Sequence, residues 1–417
     1  MKKDDALKMD DNDKLSHLKK EFLYDNENER KRIYFCGNSL GLQHKSVKNK
    51  ITRHLEQWKN LAVENHFAGD YPWIDIQDKI KNKLKLFLGC SEDEIAIMNS
   101  LSVNLHLMMA TFYRPSKSKN KILIEDNAFS SDRYVVNSQL KFHGFDESSL
   151  ITILPGEDSL IDEDKIISEI KKNKDSLSLV LLPGIQYYSG QVIDLKKISE
   201  ACKENKITLG LDLAHMIGNV AINLSSYDVD FASWCSYKYL NSGPGGIAGI
   251  YINSKHLKND LLRLEGWWGN KLSSRFEMLD KYDPEPSAEG WVLSNPPVIL
   301  MDIHLASLEV FTAAGLDNVF KKSKMLSDFL FNGLSSINNF SKFFNIITPR
   351  DTNNRGSQIS LFFKKNSKDF FNELSKKFVV DYRKPDVIRV APVPLYNSFY
   401  EVYLFVSEIE RLIKVYD

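Results

Sequence analysis

Short apolar runs alternate with amphipathic stretches through the middle of this chain. The runs cover 121–124, 177–182, 207–211 and 229–232. Runs this short, rich in Leu, Ile and Val, predict buried strands rather than helices. The stretches 162–172 and 195–205 are amphipathic and predict helices. Alternation of the two kinds over roughly 83–262 predicts βα units around a mostly parallel sheet. Upstream, the pattern predicts a short helix at 14–23 and a longer one at 45–61. Downstream of Pro297 a helical pattern runs over 298–334, with a break near Gly315. A strand at 359–363, a helix at 368–378 and a strand at 387–390 follow, which is α+β in character. The expected division is an N-terminal segment, 1–60, packing with the small domain; a large domain, 61–297; and a small C-terminal domain, 298–417.

A chain of 417 residues is long enough for two such domains. Its hydrophobic fraction of 43% is that of an ordinary globular protein. Lys plus Arg and Asp plus Glu both number 55, so the basic excess of a nucleic-acid binder is missing. Cys36, Cys90, Cys202 and Cys235 are scattered without a CxxC pair, which argues against a disulfide framework or a zinc site. Free thiols suit a reducing compartment. The opening MKKDDALKMDDNDK is charged with both signs and lacks the apolar core of a secretory signal. No apolar run approaches the roughly 18 residues of a membrane span. The expectation is a cytoplasmic protein with no membrane or nucleic-acid partner and no metal.

Candidate chemistry concentrates at two strand ends. The run 207–211 closes on Asp212, followed by Leu213-Ala214-His215. Ligands of parallel α/β sheets bind at the carboxyl ends of strands. A carboxylate there can keep a pyridine nitrogen protonated and make the ring an electron sink, or it can cap the next helix. His215 could bracket the same ring. The next strand runs into Ser236-Tyr237-Lys238, then the turn Asn241-Ser242-Gly243-Pro244-Gly245-Gly246. A Schiff-base lysine must be desolvated or lie near positive charge; a snorkelling surface lysine is the bland alternative. The linked order of Asp-x-x-His, Ser-Tyr-Lys and Gly-rich turn is much rarer than either part and favours a cofactor lysine. Ser100, Leu101 and Ser102 look like a helix start whose N–H groups can seat an anion; an ordinary cap explains the same residues. Phe129 can stack on a flat ring or anchor a loop. Trp267 and Trp268 can offer indole donors to a phosphate or serve as interface aromatics. Arg389, inside an apolar strand, is costly unless paired. A substrate carboxylate held in a fork and an internal acid are equal candidates for its partner.

These motifs resemble the kynureninase family, fold-type-I pyridoxal-phosphate (PLP) enzymes related to class V aminotransferases. The matching segments run in order from about residue 33 to 400. They include Cys36-Gly37-Asn38-Ser39-Leu40-Gly41, Gln186-Tyr187-Tyr188-Ser189-Gly190-Gln191 and Gly266-Trp267-Trp268-Gly269. The most specific are Trp234 to Gly246 and Ser294-Asn295-Pro296-Pro297. The resemblance implies an α/β large domain on a mostly parallel seven-stranded sheet, a smaller α+β C-terminal domain, PLP as cofactor and a homodimer. It implies that Lys238 forms the Schiff base and moves the Cα proton, that Asp212 and His215 contact the pyridine ring, and that Phe129 stacks on it. Leu101, Ser102, Tyr237 and Trp267 would hold the phosphate, and Ser130, Ser131 and Asp132 belong to the cofactor loop. His66, Ser294 and Asn295 would meet the substrate, with Asn295 reaching the site from the partner's side. Arg389 would clamp the α-carboxylate. The implied reaction is hydrolysis of the Cβ–Cγ bond of L-kynurenine or 3-hydroxykynurenine, giving L-alanine and anthranilate or 3-hydroxyanthranilate, in tryptophan breakdown or NAD synthesis. Tyr237 is the implied acid at the β-carbon.

Three positions depart from the family pattern: Pro183 in place of a small hydroxyl residue, Ser130 in place of a proline, and Asn65 in place of a glycine. They bear on substrate preference more than on reaction type. A cysteine desulfurase of the same fold would need a nucleophilic Cys in the late region, and 298–417 contains none. A class V aminotransferase shares the lysine and the aspartate. A non-catalytic relative would be expected to have lost one of them.

Overall fold

Leu179 and Leu181 point into one hydrophobic cluster and Val180 and Leu182 into another. A strand buried on both faces belongs in the middle of a parallel sheet. The computed structural model describes residues 1–24 and 32–417 and places this run in a seven-stranded sheet. Its strands are β1 (Ile95–Ile97), β2 (Lys121–Glu125), β3 (Leu150–Ile153), β4 (Leu177–Pro183), β5 (Thr208–Asp212), β6 (Phe231–Trp234) and β7 (Gly249–Ile252). They lie in the order β1-β7-β6-β5-β4-β2-β3. β7 runs antiparallel to both neighbours and every other pair is parallel.

Helices cover both faces, as parallel strands require. Glu163–Lys172 and Leu195–Glu204 turn Ile166, Ile170 and Ile198 onto the Val180 face. Leu101–Phe112 and Ser130–Phe142 turn Leu105, Met108, Val136 and Leu140 onto the Leu179 face. Asp162 starts the first of these by accepting the Asp164 N–H at 2.9 Å. Asp194 caps the second through the Lys197 N–H at 3.3 Å.

The helical pattern after Pro297 resolves into Val298–Ala314 and Leu316–Ser335, which meet at 84°. Gly315 makes the corner with φ +77, a conformation that costs glycine little. Met301, Leu305, Leu308 and Phe311 of the first helix join the core of the large sheet. Among the described residues no single helix is long and apolar enough to cross a membrane.

A four-stranded antiparallel sheet follows: β8 (Phe344–Ile346), β9 (Ile359–Phe363), β10 (Asp381–Arg383) and β11 (Val387–Val390), in the order β8-β9-β11-β10. The expected helix at 368–378 stops at Leu374. Phe378–Val379 instead pairs in parallel with Ile33–Tyr34. The expected helix at 14–23 is a 3₁₀ segment, Ser16–Glu21, running into Phe22–Leu23, which pairs with Gln43–His44. In both places a strand partner distant in sequence outweighs local helical propensity. The strand expected at 229–232 begins two residues later, because the Asp230 carboxylate is engaged by the Leu209 N–H at 2.8 Å and His256 at 2.7 Å.

The chain start closes on the chain end. Ala6 of the helix Lys3–Asp11 is buried in the cluster that holds Phe405 and Ile409. The Asp10 carboxylate accepts the Phe399 N–H at 2.7 Å and the Tyr400 N–H at 3.0 Å, at the start of the helix Phe399–Tyr416. Asp10→Ala leaves those two donors without their partner and should cost about 1–2 kcal/mol. Urea unfolding followed by far-UV circular dichroism should show a lower midpoint; an unchanged midpoint would remove this contact from the account.

Candidate active site

Three strands end side by side. Pro183 of β4 pairs with Asp212 of β5, and Asp212 with Ser233 of β6. Beyond the ladder the Gly184 N–H donates to the Asp212 carbonyl at 2.8 Å, and the Leu213 N–H to the Ser233 carbonyl at 2.8 Å. These backbone groups are satisfied, so the side chains at the strand ends are left for chemistry. The Asp212 carboxylate accepts the Ala214 N–H at 2.7 Å in a tight turn that leads into His215. Both Asp212 and His215 are buried.

β6 carries the chain into Lys238. The Gly-rich turn folds back on this segment, with the Ser242 N–H on the Ser236 carbonyl at 3.1 Å and positive φ at Gly243 and Gly245. The loop 36–41 lies against the same backbone. The Gly41 N–H donates to the Tyr237 carbonyl at 2.8 Å. A Cβ on Gly41 would stand 2.2 Å from Asn241 Oδ1 and 2.5 Å from the Lys238 carbonyl oxygen, so only glycine permits the approach.

Lys238 is 9% exposed and lines a cavity of about 190 Å³. Its Nζ lies 5.7 Å from the centre of the Phe129 ring. Ser100, Leu101 and Ser102 line the same cavity. Ser100 occupies the N-cap of the helix Leu101–Phe112 but its side chain makes no capping bond, and no acid lies in the first turn. The first N–H groups of that helix have no side-chain partner, which makes them a seat for an anion.

Three acids converge on the cavity: Glu125 at the end of β2, Asp132 and Asp212. Asp132 and Asp212 both line the cavity and are close enough to disfavour ionising together. Burial, then the charge of Asp212, raises Asp132 well above the usual carboxylate range. Burial raises Asp212 also, against the opposing pull of the Asp132 hydrogen bond and the Lys238 charge. Burial raises Glu125 from 4.5 to about 8. Burial, reinforced by Lys238, Arg389 and Arg383, holds His215 well below its ordinary value, so its imidazole is neutral. Burial, then the neighbouring Cys235, raises the Tyr237 phenol, which keeps its proton. Tyr187 packs edge-on to Phe129, with centroids 5.2 Å apart, and lies 6.5 Å from His215. An anion seat, an aromatic wall, a neutral imidazole, a proton-holding carboxyl pair and an amine together suit a flat heteroaromatic phosphate ester.

Leu101, Ser102, Phe129, Ser131, Asp132, Asp212, His215, Tyr237 and Lys238 all line this one cavity. Ser130 is exposed at the start of its helix and does not line it. Trp267 donates its indole N–H to the Arg275 carbonyl at 2.7 Å, so within the chain that donor is already used. His66 Nδ1 stands 3.0 Å from the Val63 carbonyl, and Ser294 and Asn295 are exposed. None of these lines the cavity of the single chain. Arg389 has an internal acid: Nε donates to Asp381 Oδ1 at 3.1 Å, Nη2 lies 2.8 Å from Oδ2, and Nη1 donates to the Tyr187 carbonyl at 2.7 Å. Glu125 and Tyr187 were not anticipated as lining residues. Glu125 carries the same signal as Asp212, an acid closing an apolar run.

Solved structures with this fold are PLP-class proteins of low sequence identity. A cysteine desulfurase from Escherichia coli superposes with a TM-score of 0.78 at 14% identity, covering 96% of this chain and 98% of the other. One from Thermococcus onnurineus gives 0.74 at 17%, covering 92% and 95%. The cystine lyase C-DES, solved as a mutant with glycine linked to its PLP cofactor, gives 0.73 at 16%, covering 90% and 96%. The architecture is therefore that of the fold-type-I PLP-dependent enzymes. Within that class, kynureninases match over the whole length. Those of Christiangramia forsetii and Rattus norvegicus are each 42% identical, covering 96% of this chain and 95% and 91% of their own lengths. That of Nematostella vectensis is 41% identical over 97% of this chain and 93% of its own. The model of the kynureninase C-terminal domain matches residues 319–409. The chain belongs to the kynureninase family.

Neutral Glu125 has a sharp consequence for stability. Its folded-state pKa is raised, so its contribution is complete below pH about 4.5 and is lost as pH rises through about 8. Between those limits the wild-type apoprotein should lose thermal stability faster than Glu125→Gln, and the variant should be the more stable at pH about 8.5. Parallel melting-temperature profiles would contradict the burial of this acid.

Proposed function

We propose that this chain hydrolyses the Cβ–Cγ bond of L-kynurenine and of 3-hydroxykynurenine with PLP as cofactor, releasing L-alanine and the anthranilate. The observation that carries the reading is the extent of the similarity to kynureninases, 42% identity over 96% of the chain. The residues present fit the cofactor. Ser102 and the free N–H groups at the start of Leu101–Phe112 would hold its phosphate. Asp212, beside Asp132, would hold the ring nitrogen in its protonated form. Lys238 would hold the carbonyl carbon. When bound, PLP supplies a sink for negative charge at the substrate's Cα.

The chain's own groups do the rest. Lys238 Nζ takes the Cα proton, at the floor of a cavity it shares with the anion seat. Neutral His215 would contact the ring of the bound cofactor without competing for its proton. The Tyr237 phenol, protonated across the neutral range, holds the proton that the β-carbon requires once the aryl fragment has left. Arg389 offers the N–H groups not used by Asp381 and Tyr187 to the α-carboxylate, since a guanidinium carries five. Desulfurase chemistry needs a thiolate. The Cys36 thiol is pushed up to about 11 by burial, and burial raises Cys235 as well, so neither ionises at neutral pH.

A second copy of the chain completes the site in this reading. His66, Phe67, Phe276 and Trp267 form a run of ring contacts with centroids 6.2, 5.4 and 5.7 Å apart. Phe67 is 62% exposed, and Phe276, Met278 and Leu279 are exposed beside it. Gly266, next to Trp267, packs on Leu293, which leads into Ser294 and Asn295. The expected substrate residues absent from the cavity thus share a surface with an exposed apolar patch, the mark of an interface. Four unpaired cysteines suit a cytoplasmic setting.

Purified holoenzyme mixed with L-kynurenine or its 3-hydroxy form should release L-alanine and the corresponding anthranilate in equal amounts. No anthranilate from either substrate would overturn the reading. Lys238→Ala should lose the visible absorption of bound cofactor and at least about 10³-fold in turnover. Retained colour in that variant would remove Lys238 from its role.

A further inference from the structure

Asp381 is shared by two arginines. Arg389 engages it through Nε and Nη2. Arg383 engages it as well, with Nε 2.9 Å from Oδ1 and Nη2 donating to Oδ2 at 3.1 Å. Both arginines and the acid lie on adjacent strands, with Asp381 of β10 directly opposite Arg389 of β11. Arg389 is 1% exposed, Asp381 12% and Arg383 36%. Two guanidiniums and one carboxylate leave the cluster one negative charge short; Arg383 is partly exposed, but on the buried side, at Arg389, the shortfall is costly until an anion arrives. Cys36, the nearby thiol, stays neutral and does not supply it. The surplus charge is felt in the active site. Both arginines disfavour the charged form of His215, and Arg389 is bonded to the Tyr187 carbonyl.

The Arg383 Nε is buried and, despite its closeness to Asp381, makes no well-aligned hydrogen bond. Arg389 spends three of its five N–H groups inside the chain. We propose that Arg383 is a second cation for the α-carboxylate of the substrate, and that Asp381 is the positioning residue that holds both guanidiniums. This rests on the amino-acid-cleaving reading above. The geometry divides the work: Arg389 is fixed by Asp381 and the Tyr187 carbonyl, and Arg383 brings the charge that the fixed pair lacks. The added cation selects substrates with a free carboxylate over their amides or esters.

L-Alanine isolates the claim, because it carries the α-amino and α-carboxylate groups and no aryl end. Holoenzyme titrated with L-alanine, followed by the change in cofactor absorption, gives its Kd. Arg383→Gln should raise that Kd by about 10- to 100-fold, the loss expected for a hydrogen bond to a charged group. The same variant should raise KM for L-kynurenine with a much smaller change in kcat, and Arg383→Lys should recover part of the loss. Asp381→Asn should move both constants in the same direction. Because Arg383 is partly exposed, its variants keep the test open if Asp381→Asn fails to fold. If the wild type binds L-alanine but does not cleave kynurenine, and Arg383→Gln still weakens binding, the activity reading fails and this one stands. An Arg383→Gln holoenzyme that binds L-alanine within about twofold of the wild type, or a wild type that does not bind it, overturns the proposal.

Discussion

The candidate active site depends on two buried carboxyl groups, Asp132 and Asp212, that resist ionising together. Asp132 and Asp212 cannot both ionise in a place without water, because like charges at hydrogen-bond distance are too costly there. Burial and mutual repulsion therefore hold the pair toward protonation. Lys238 lines the same cavity, and its charge opposes the burial that raises Asp212. His215 is neutral chiefly because it is buried, and the positive charges of Lys238, Arg389 and Arg383 add to that.

Holding such groups in place is the work of the sheet. Strand ends at Glu125, Pro183, Asp212 and Trp234 bring side chains from distant parts of the chain together while their backbones stay hydrogen-bonded. The Gly41 contact then pins the lysine segment from outside the sheet, through an approach that no larger residue permits. The loop 36–41 also touches the segment that follows β11, since Cys36 bridges to Ala391 and Gly37 lies against Val393 and Tyr396. The lysine segment and the strand of Arg389 are linked through a few residues of backbone.

Much of this was legible in the sequence, and the reasons differ by element. Runs 177–182 and 207–211 read clearly because burial on both faces leaves them almost wholly apolar, with Ser178 and Thr208 the polar exceptions near their starts. Asp212, His215 and Lys238 read through their linked order. The edge strands β1 and β3 and the small strand β10 did not, being short and without distinct periodicity. Asp381, which answers the question posed by Arg389, sits on β10, and only the pairing register reveals that it faces the arginine. His66, Ser294 and Asn295 were reached through family resemblance alone, and the fold of one chain leaves them, like Trp267, outside the cavity.

Protonation of the Asp132–Asp212 pair is the claim on which the electrostatic account stands. Infrared spectroscopy of the apoprotein at neutral pH measures it directly, because a protonated carboxyl group has a carbonyl stretch that a carboxylate lacks. The account predicts such a band at pH 7, with a component that is lost in Asp132→Asn. A spectrum of Asp132→Asn that matches the wild type throughout the protonated-carboxyl region would contradict it.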